Sequence, residues 1–206
     1  MYWETDVWKL SGLSLDKMKR KYVKIKLGRN ELNIRTAILL NVEAKTEAEM
    51  ETLVLCCDYM SGAASCWWPY VKELSKHFRL VMPDLGTYGA NTRISDCEEY
   101  NMAGDPAERL ILDWWKFWVE AMGKDLPAKF NICGIGNGGF QAGLFAAEAP
   151  DKISKLLMIS PARFCPPPND EFDPYEVEMN LSQMQNRNTK RHVHEVLTDK
   201  GEHGLL

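Results

Sequence analysis

The stretch Gly134-Ile135-Gly136-Asn137-Gly138-Gly139 decides the fold of this chain. It follows an apolar run, residues 130–133, that predicts a strand, and it leads into an alanine-rich segment that predicts a helix over residues 139–148. A glycine-rich turn in this setting presents either a nucleophile on a sharp elbow or backbone amides for a pyrophosphate. Gly136 stands where a nucleophile would stand, and it carries no side chain.

The composition predicts one globular core and no nucleic-acid partner. The chain has 206 residues, a formal charge of −4 and 45% hydrophobic residues, which are ordinary values for a soluble domain. Six cysteines form no CxxC pair, so we expect a reducing, intracellular compartment and no disulfide framework. The cytoplasm is the expected location, with an organellar or cytoskeletal complex as the alternative. The acidic, aromatic beginning of the chain fits neither a secretory signal nor a transit peptide.

The order of predicted elements indicates an α/β fold of three layers. An antiparallel hairpin, residues 21–27 and 33–43, shows period-two alternation with one buried face. Beyond it, strands alternate with helices, which predicts a mostly parallel sheet with helices on both faces. We therefore divide the chain into an N-terminal arm, 1–20, a core, 21–164, and a polar C-terminal extension, 165–206. The later strands are predicted at 52–57, 80–82, 129–133 and 153–159, and the helices near 67–78, 105–122 and 139–148.

Three tryptophans lie at helical spacing in the helix predicted before the elbow. Trp114, Trp115 and Trp118 share one face with Ile111 and Met122. Such a stripe could form a binding platform, but the spacing favours packing against a sheet.

This arrangement resembles the α/β-hydrolase superfamily over about residues 20–164. In that family the loop after the third strand bears an oxyanion-hole motif, and the turn after the fifth strand is the nucleophile elbow Gly-x-Ser-x-Gly. Cys57 and Asp58 occupy the first position here, and Gly134, Gly136, Asn137, Gly138 and Gly139 form the second. The last strands of the family's sheet, which precede the acid and the histidine of its triad, have no counterpart that we recognise, so the resemblance implies a truncated sheet.

Two branches of the superfamily show similar departures from the catalytic pattern. The segment Asp113–Gly123 is similar to the abhydrolase-type lipid-droplet coactivators, and the glycine-rich elbow with Asp58 is similar to the N-myc downstream-regulated family. Gly136 has no atom to attack with, and a carboxylate at Asp58 would oppose the charge of an oxyanion. The sequence therefore predicts no catalytic residue, a pseudoenzyme, and a structural or protein-interaction subunit of a larger assembly.

Other classes of site remain as alternatives. Gly134-x-Gly136-x-x-Gly139 matches the fingerprint of a dinucleotide site, although Ser160 replaces the expected acid and only Arg163 could favour NADP. A non-catalytic module that binds lipid in the former pocket is another alternative. Cys57 and Cys133 close apolar strands, where thiols are inert. His192 and His194 lack further ligands at metal spacing, so we predict no metal and no cofactor.

An apolar strand at the edge of the predicted sheet indicates a protein partner. Strand 153–159 would leave its backbone groups unpaired, which invites association. We expect contacts through this strand, through the 165–206 tail and through Trp3 and Trp8 of the arm. Exposed tryptophans also suit a membrane or lipid surface.

Overall fold

The computed structural model describes residues 8–13, 15–27, 30–40, 50–57, 63–85 and 107–161. Its strands are β1 (Met18–Leu27), β2 (Asn30–Leu39), β3 (Glu51–Cys56), β4 (Phe78–Pro83), β5 (Phe130–Ile135) and β6 (Ile153–Ile159). Its helices are α1 (Trp68–Leu74), α2 (Ala107–Met122) and α3 (Asn137–Glu148). Short 3₁₀ turns cover Leu15–Lys17, Ala64–Trp67, Gly123–Asp125 and Pro150–Lys152.

The six described strands form one mixed sheet in the order β1-β2-β4-β3-β5-β6. β2 is antiparallel to β1 and to β4, whereas β4, β3, β5 and β6 run parallel to one another. This confirms the predicted α/β class and the antiparallel N-terminal hairpin. β5 has a neighbouring strand on each side, so the turn that follows its carboxyl end lies within the width of the sheet and not at an outermost strand.

The hairpin forms where period-two alternation predicted it, and each of its two strands begins earlier in the chain than predicted. β1 and β2 pair over ten residues each, from Met18 opposite Leu39 to Leu27 opposite Asn30. The inward side chains of β1, Val23, Ile25 and Leu27, are buried, and the lysines between them are exposed. One apolar face against the core fixes the register, because a shift by one residue would bury the lysines.

The central parallel strands β3 and β4 carry no such alternation because both of their faces are covered. Residues 52–56 of β3 and 79–83 of β4 are buried without interruption, as parallel strands between helices require. Together with the hairpin they form one continuous apolar core.

Helix α2 buries its three tryptophans, which confirms core packing for this stripe. Trp114 and Trp118, one turn apart, stack at 5.9 Å, and Trp115 stacks on Phe145 of α3 at 5.2 Å. The indole Nε1–H of Trp118 donates to Thr36 Oγ1 of β2 at 3.1 Å. The aromatic cluster therefore ties α2 to the hairpin and to α3, the helix that follows the elbow.

β6 lies at the end of the strand order and pairs with β5 alone among the described strands. Its side chains from Leu156 to Ile159 are exposed, Leu157 by 58%, so the predicted apolar edge strand is present. The partner that we predicted for it stays a prediction. Trp8, by contrast, is fully buried and belongs to the core, while Trp3 and residues 165–206 lie outside the described residues.

Candidate active site

The site is the sharp turn between β5 and α3. Gly136 joins them with φ 56° and ψ −122°, a left-handed conformation that an L-residue adopts only under strain. This backbone geometry is typical of the nucleophile elbow, where the strand reverses directly into a helix. The Gly136 N–H donates to the carbonyl oxygen of Ile159 at 3.0 Å, so the end of β6 holds the turn in place.

Glycines on either side of the turn let strand and helix approach each other. A Cβ added at Gly134 would lie 2.2 Å from the Gly138 carbonyl oxygen, and one at Gly138 would lie 2.3 Å from the Cys57 carbonyl oxygen. Real Cβ atoms essentially never come that close to a backbone atom. The pattern Gly-x-Gly-x-Gly is therefore required by the contact of α3 with β3 and β5, as well as by the turn itself.

Asn137 is the first residue of α3, directly after the turn. In an elbow of this kind, the backbone N–H of the residue after the nucleophile position forms one arm of the oxyanion hole. The first amides of a helix also carry the positive end of its dipole. By comparison with such elbows, the Asn137 N–H is the candidate donor to a developing negative charge.

The second arm of an oxyanion hole would come from the loop after β3. Cys57 ends the described part of this segment, and its carbonyl oxygen faces Gly138 of α3. The loop thus leaves β3 directly beside the elbow, where the family resemblance places it. Asp58, its other predicted residue, lies outside the described residues.

A buried ion pair fixes the segment that returns from this loop. Asp84, after β4, and Arg35 of β2 pair at 2.7 Å with side chains 0% and 5% exposed. The Asp84 carboxylate also accepts the backbone N–H of Ala64 at 2.9 Å. Sequence reasoning missed this pair. The sequence does contain one sign of this pair, a charged residue within the apolar alternation of β2, but its partner is 49 positions away.

The thiols around the elbow are kept protonated. Contact with the Cys66 thiol, burial and the Asp84 carboxylate hold the pKa of Cys57 well above its usual range. Burial raises the pKa of Cys133 to about 11 and also raises that of Cys56. Since the thiolate is the nucleophile, these cysteines are poor nucleophiles at neutral pH.

The remaining predicted features have no further support among the described residues. His77, the histidine that lies within the described residues, was not among the predicted site residues; it is exposed, near Glu73 after α1. His192, His194 and Arg163 lie outside the described residues. Within the described ranges, no group of His, Cys, Asp and Glu side chains is arranged to hold a metal ion, and no helix is long and apolar enough to cross a membrane.

Known relatives of the sequence are ester-hydrolysing enzymes. A monoacylglycerol lipase of Xenopus laevis is 31% identical over 119 residues, which cover 58% of this chain and 33% of the lipase. A pimeloyl-[acyl-carrier protein] methyl ester esterase of Nitrosomonas europaea is 29% identical over 94 residues, covering 46% and 31%. The matched regions thus span about a third of each relative.

The solved structures give the same fold at low sequence identity. A naproxen esterase of Bacillus subtilis superposes with a TM-score of 0.58 and 14% identity, covering 91% of this chain and 57% of the esterase. At this identity the likeness shows the fold alone.

These relatives overturn the prediction of an inactive structural subunit. They are named as a lipase and as an esterase, so the predictions of a pseudoenzyme and of a structural subunit are wrong as well. The prediction treated the missing side chain of Gly136 as decisive. In well-studied hydrolases, however, the oxyanion hole and substrate binding alone retain roughly 10³–10⁴-fold catalysis over water after the triad is removed. An elbow without its nucleophile therefore does not establish inactivity.

The sequence model of the α/β hydrolase fold matches residues 52–198, well over half of the chain. The match includes β3, the turn after β5 and β6. With the sheet order and the elbow described above, it shows that this chain belongs to the α/β-hydrolase family.

Proposed function

We propose that this chain hydrolyses carboxylic esters at the elbow between β5 and α3. The observation that carries the proposal is the left-handed turn at Gly136, with φ 56°, placed directly before a helix in a member of this family. This turn directs the first amide of α3 to the place where an ester carbonyl would bind. No other catalytic function has a comparable feature among the described residues.

The Asn137 N–H supplies the stabilisation that the reaction requires. As a nucleophile adds to an ester, negative charge develops on the carbonyl oxygen, and a fixed donor stabilises the transition state more than the substrate. Removing one such donor costs about 10²–10³-fold in rate. The donor is well fixed, since α3 is packed through Gly138 against β3 and through Phe145 against Trp115.

The attacking group in this proposal is a water molecule. Gly136 offers no side-chain oxygen or sulfur, and the nearby thiols are protonated. The water oxygen forms a bond to the carbonyl carbon and loses a proton to solvent or to a base. The carbon then releases the alcohol oxygen, which takes up a proton. No acyl-enzyme is formed on this route.

The names of the relatives suggest the substrate class. A monoacylglycerol lipase and a methyl ester esterase share an acyl group esterified to a small alcohol. We therefore propose acyl esters of small alcohols as substrates. Without a nucleophilic side chain, we expect an acceleration of roughly 10³-fold over water.

A pre-steady-state time course of p-nitrophenyl butyrate hydrolysis by the full chain tests this. We expect steady release of p-nitrophenolate above the buffer rate, with no burst, and no labelling by a fluorophosphonate. In the Gly136→Ser variant, a hydroxyl stands at the elbow and should either give a burst or block the attacking water. No hydrolysis by the unaltered chain, or a Gly136→Ser variant with an unchanged time course, would contradict the proposal.

A further inference from the structure

A cavity lies at the opposite edge of the sheet from the elbow. It encloses about 440 Å³ between the amino ends of β3, β4, β5 and β6 and the 3₁₀ turn Gly123–Asp125. The elbow follows the carboxyl end of β5. A strand of six residues separates the two by about 20 Å. The cavity is therefore not part of the proposed ester site, although its volume suits a small ligand.

Three cationic side chains from separate elements line this cavity. They are Arg79 of β4, Lys124 of the 3₁₀ turn and Lys129 just before β5. Arg79 is only 8% exposed, and its Nη1 donates to the Asp125 carbonyl oxygen at 2.9 Å. This bond holds the guanidinium at the cavity wall. Lys124 and Lys129 are exposed at its rim.

Each of the two carboxylates that line the cavity interacts with a lysine that does not line the cavity. Asp125 pairs with Lys21 of β1, and this contact lowers the pKa of its carboxyl group. Glu51 accepts the Asn131 Nδ2–H at 2.8 Å and lies 3.7 Å from the Lys155 ammonium. Among the described residues, the lining and these two lysines hold five positive and two negative charges, in a chain whose formal charge is −4, and Arg79 and Lys124 also interact electrostatically with Asp125. The local excess of positive charge is opposite in sign to that of the whole chain.

We propose that this cavity binds a small phosphate-bearing ligand through Arg79, Lys124 and Lys129. A phosphate monoester carries a charge between about −1.5 and −2 near neutral pH and presents several acceptor oxygens. Three donors that converge from different elements suit a phosphate group, with its several acceptor oxygens, better than they suit a group with a single acceptor. Arg79 supplies a planar, permanently charged donor, and the two lysines supply point charges. The phosphate could belong to a soluble ester or to a lipid headgroup at the cavity mouth.

Calorimetric titration of the full chain with glycerol 3-phosphate tests the site, with glycerol as the uncharged comparison. We expect saturable binding of the phosphate ester, no binding of glycerol, and weakening as ionic strength rises. In the variant Lys124→Ala/Lys129→Ala, the dissociation constant should rise at least tenfold. The variant Lys26→Ala/Lys116→Ala removes the same charge from exposed positions on β1 and α2 and should stay within twofold of the unaltered chain.

Co-sedimentation distinguishes the two sources of phosphate. Vesicles of phosphatidylcholine with 20% phosphatidic acid (roughly the charge density of an anionic leaflet) are compared with pure phosphatidylcholine. Binding to the acidic vesicles alone that is lost in Lys124→Ala/Lys129→Ala but kept in the control would assign a headgroup ligand. Binding of glycerol 3-phosphate with the same dependence would assign a soluble one. If neither binds, or if both variants lose binding equally, the proposal is overturned.

Discussion

Replacing Gly138 with alanine probes the packing that places the elbow. Alanine is normally preferred to glycine within a helix by about 1 kcal/mol, and Gly138 is the second residue of α3. Here the added Cβ would lie 2.3 Å from the Cys57 carbonyl oxygen and 2.4 Å from that of Cys56. Ordinary contact begins at 3.4 Å, so α3 and β3 would have to separate by about 1 Å.

The cost follows from which atoms must move. Overpacking usually costs about 1–3 kcal/mol when side chains can adjust, but both atoms that meet this Cβ are backbone atoms, one in the last residue of the central strand β3 and one in the residue after it. We expect Gly138→Ala to lower the free energy of unfolding by at least about 3 kcal/mol, despite the gain in helix propensity. The assay is urea denaturation followed by circular dichroism. The dependence of the unfolding free energy on urea concentration should have the same slope in the variant and in the unaltered chain.

Gly123→Ala is the control for this substitution. Gly123 has a positive φ, 54°, which Gly138 does not have, but nothing lies within 4 Å of its added Cβ. Only backbone strain of about 1–2 kcal/mol is expected there. If Gly138→Ala destabilises the protein no more than Gly123→Ala, the close contact of α3 with β3 is refuted, and with it the positioning of the Asn137 N–H.

Substitutions at three other positions test the surroundings of the site. Asp84→Asn should lower the free energy of unfolding by about 3–5 kcal/mol, because it leaves the Arg35 charge buried without its counter-ion; a urea midpoint within error of the unaltered chain would contradict this. Thr36→Val removes the acceptor of the Trp118 Nε1–H and should cost about 1–3 kcal/mol, whereas Thr36→Ser, which keeps the hydroxyl, should cost less. For Cys133, the folded-state pKa of about 11 exceeds the ordinary value of 9.0, so the unfolded chain ionises first. Stability should therefore fall as pH rises from about 9 to about 11, and Cys133→Ala should make this fall shallower; an equal slope in both proteins would argue against a buried thiol.

The elements that could be predicted from the sequence are those with a strong local pattern. Period-two alternation located the hairpin, an uninterrupted apolar run located β3, and a mainly apolar segment before the glycines located β5. The tryptophans of α2 were assigned to the core from their helical spacing alone, because an amphipathic stripe needs a surface to cover. The elbow was also identified from a local pattern, because closely spaced glycines between a strand and a helix are typical of a sharp turn.

The features that could not be predicted depend on residues far apart in the chain. The Arg35–Asp84 pair joins β2 to the end of β4, and its location follows only from the strand order. The cavity lined by Arg79, Lys124 and Lys129 gathers side chains from four strands and a 3₁₀ turn, and only the strand order brings Arg79 beside the two lysines. The helix predicted near 67–78 begins with a 3₁₀ turn at Ala64 and ends at Leu74, a boundary that packing determines.

The functional prediction was wrong for a different reason. It inferred inactivity from one missing side chain, although much of the catalytic power of an elbow lies in backbone groups that every sequence possesses. Composition and spacing do not report whether such a group is correctly placed, because that depends on the packing of Gly134 and Gly138.

The ratio of ester hydrolysis rates between Asn137→Ala and Asn137→Pro tests the central claim most directly. Both variants remove the same side chain, but only proline removes the backbone N–H, and proline is well accepted at the first position of a helix such as α3. We predict that Asn137→Ala hydrolyses p-nitrophenyl butyrate about 10²–10³ times faster than Asn137→Pro, at equal helix content by circular dichroism. Equal rates in two folded variants would show that the amide at the start of α3 does not stabilise the transition state.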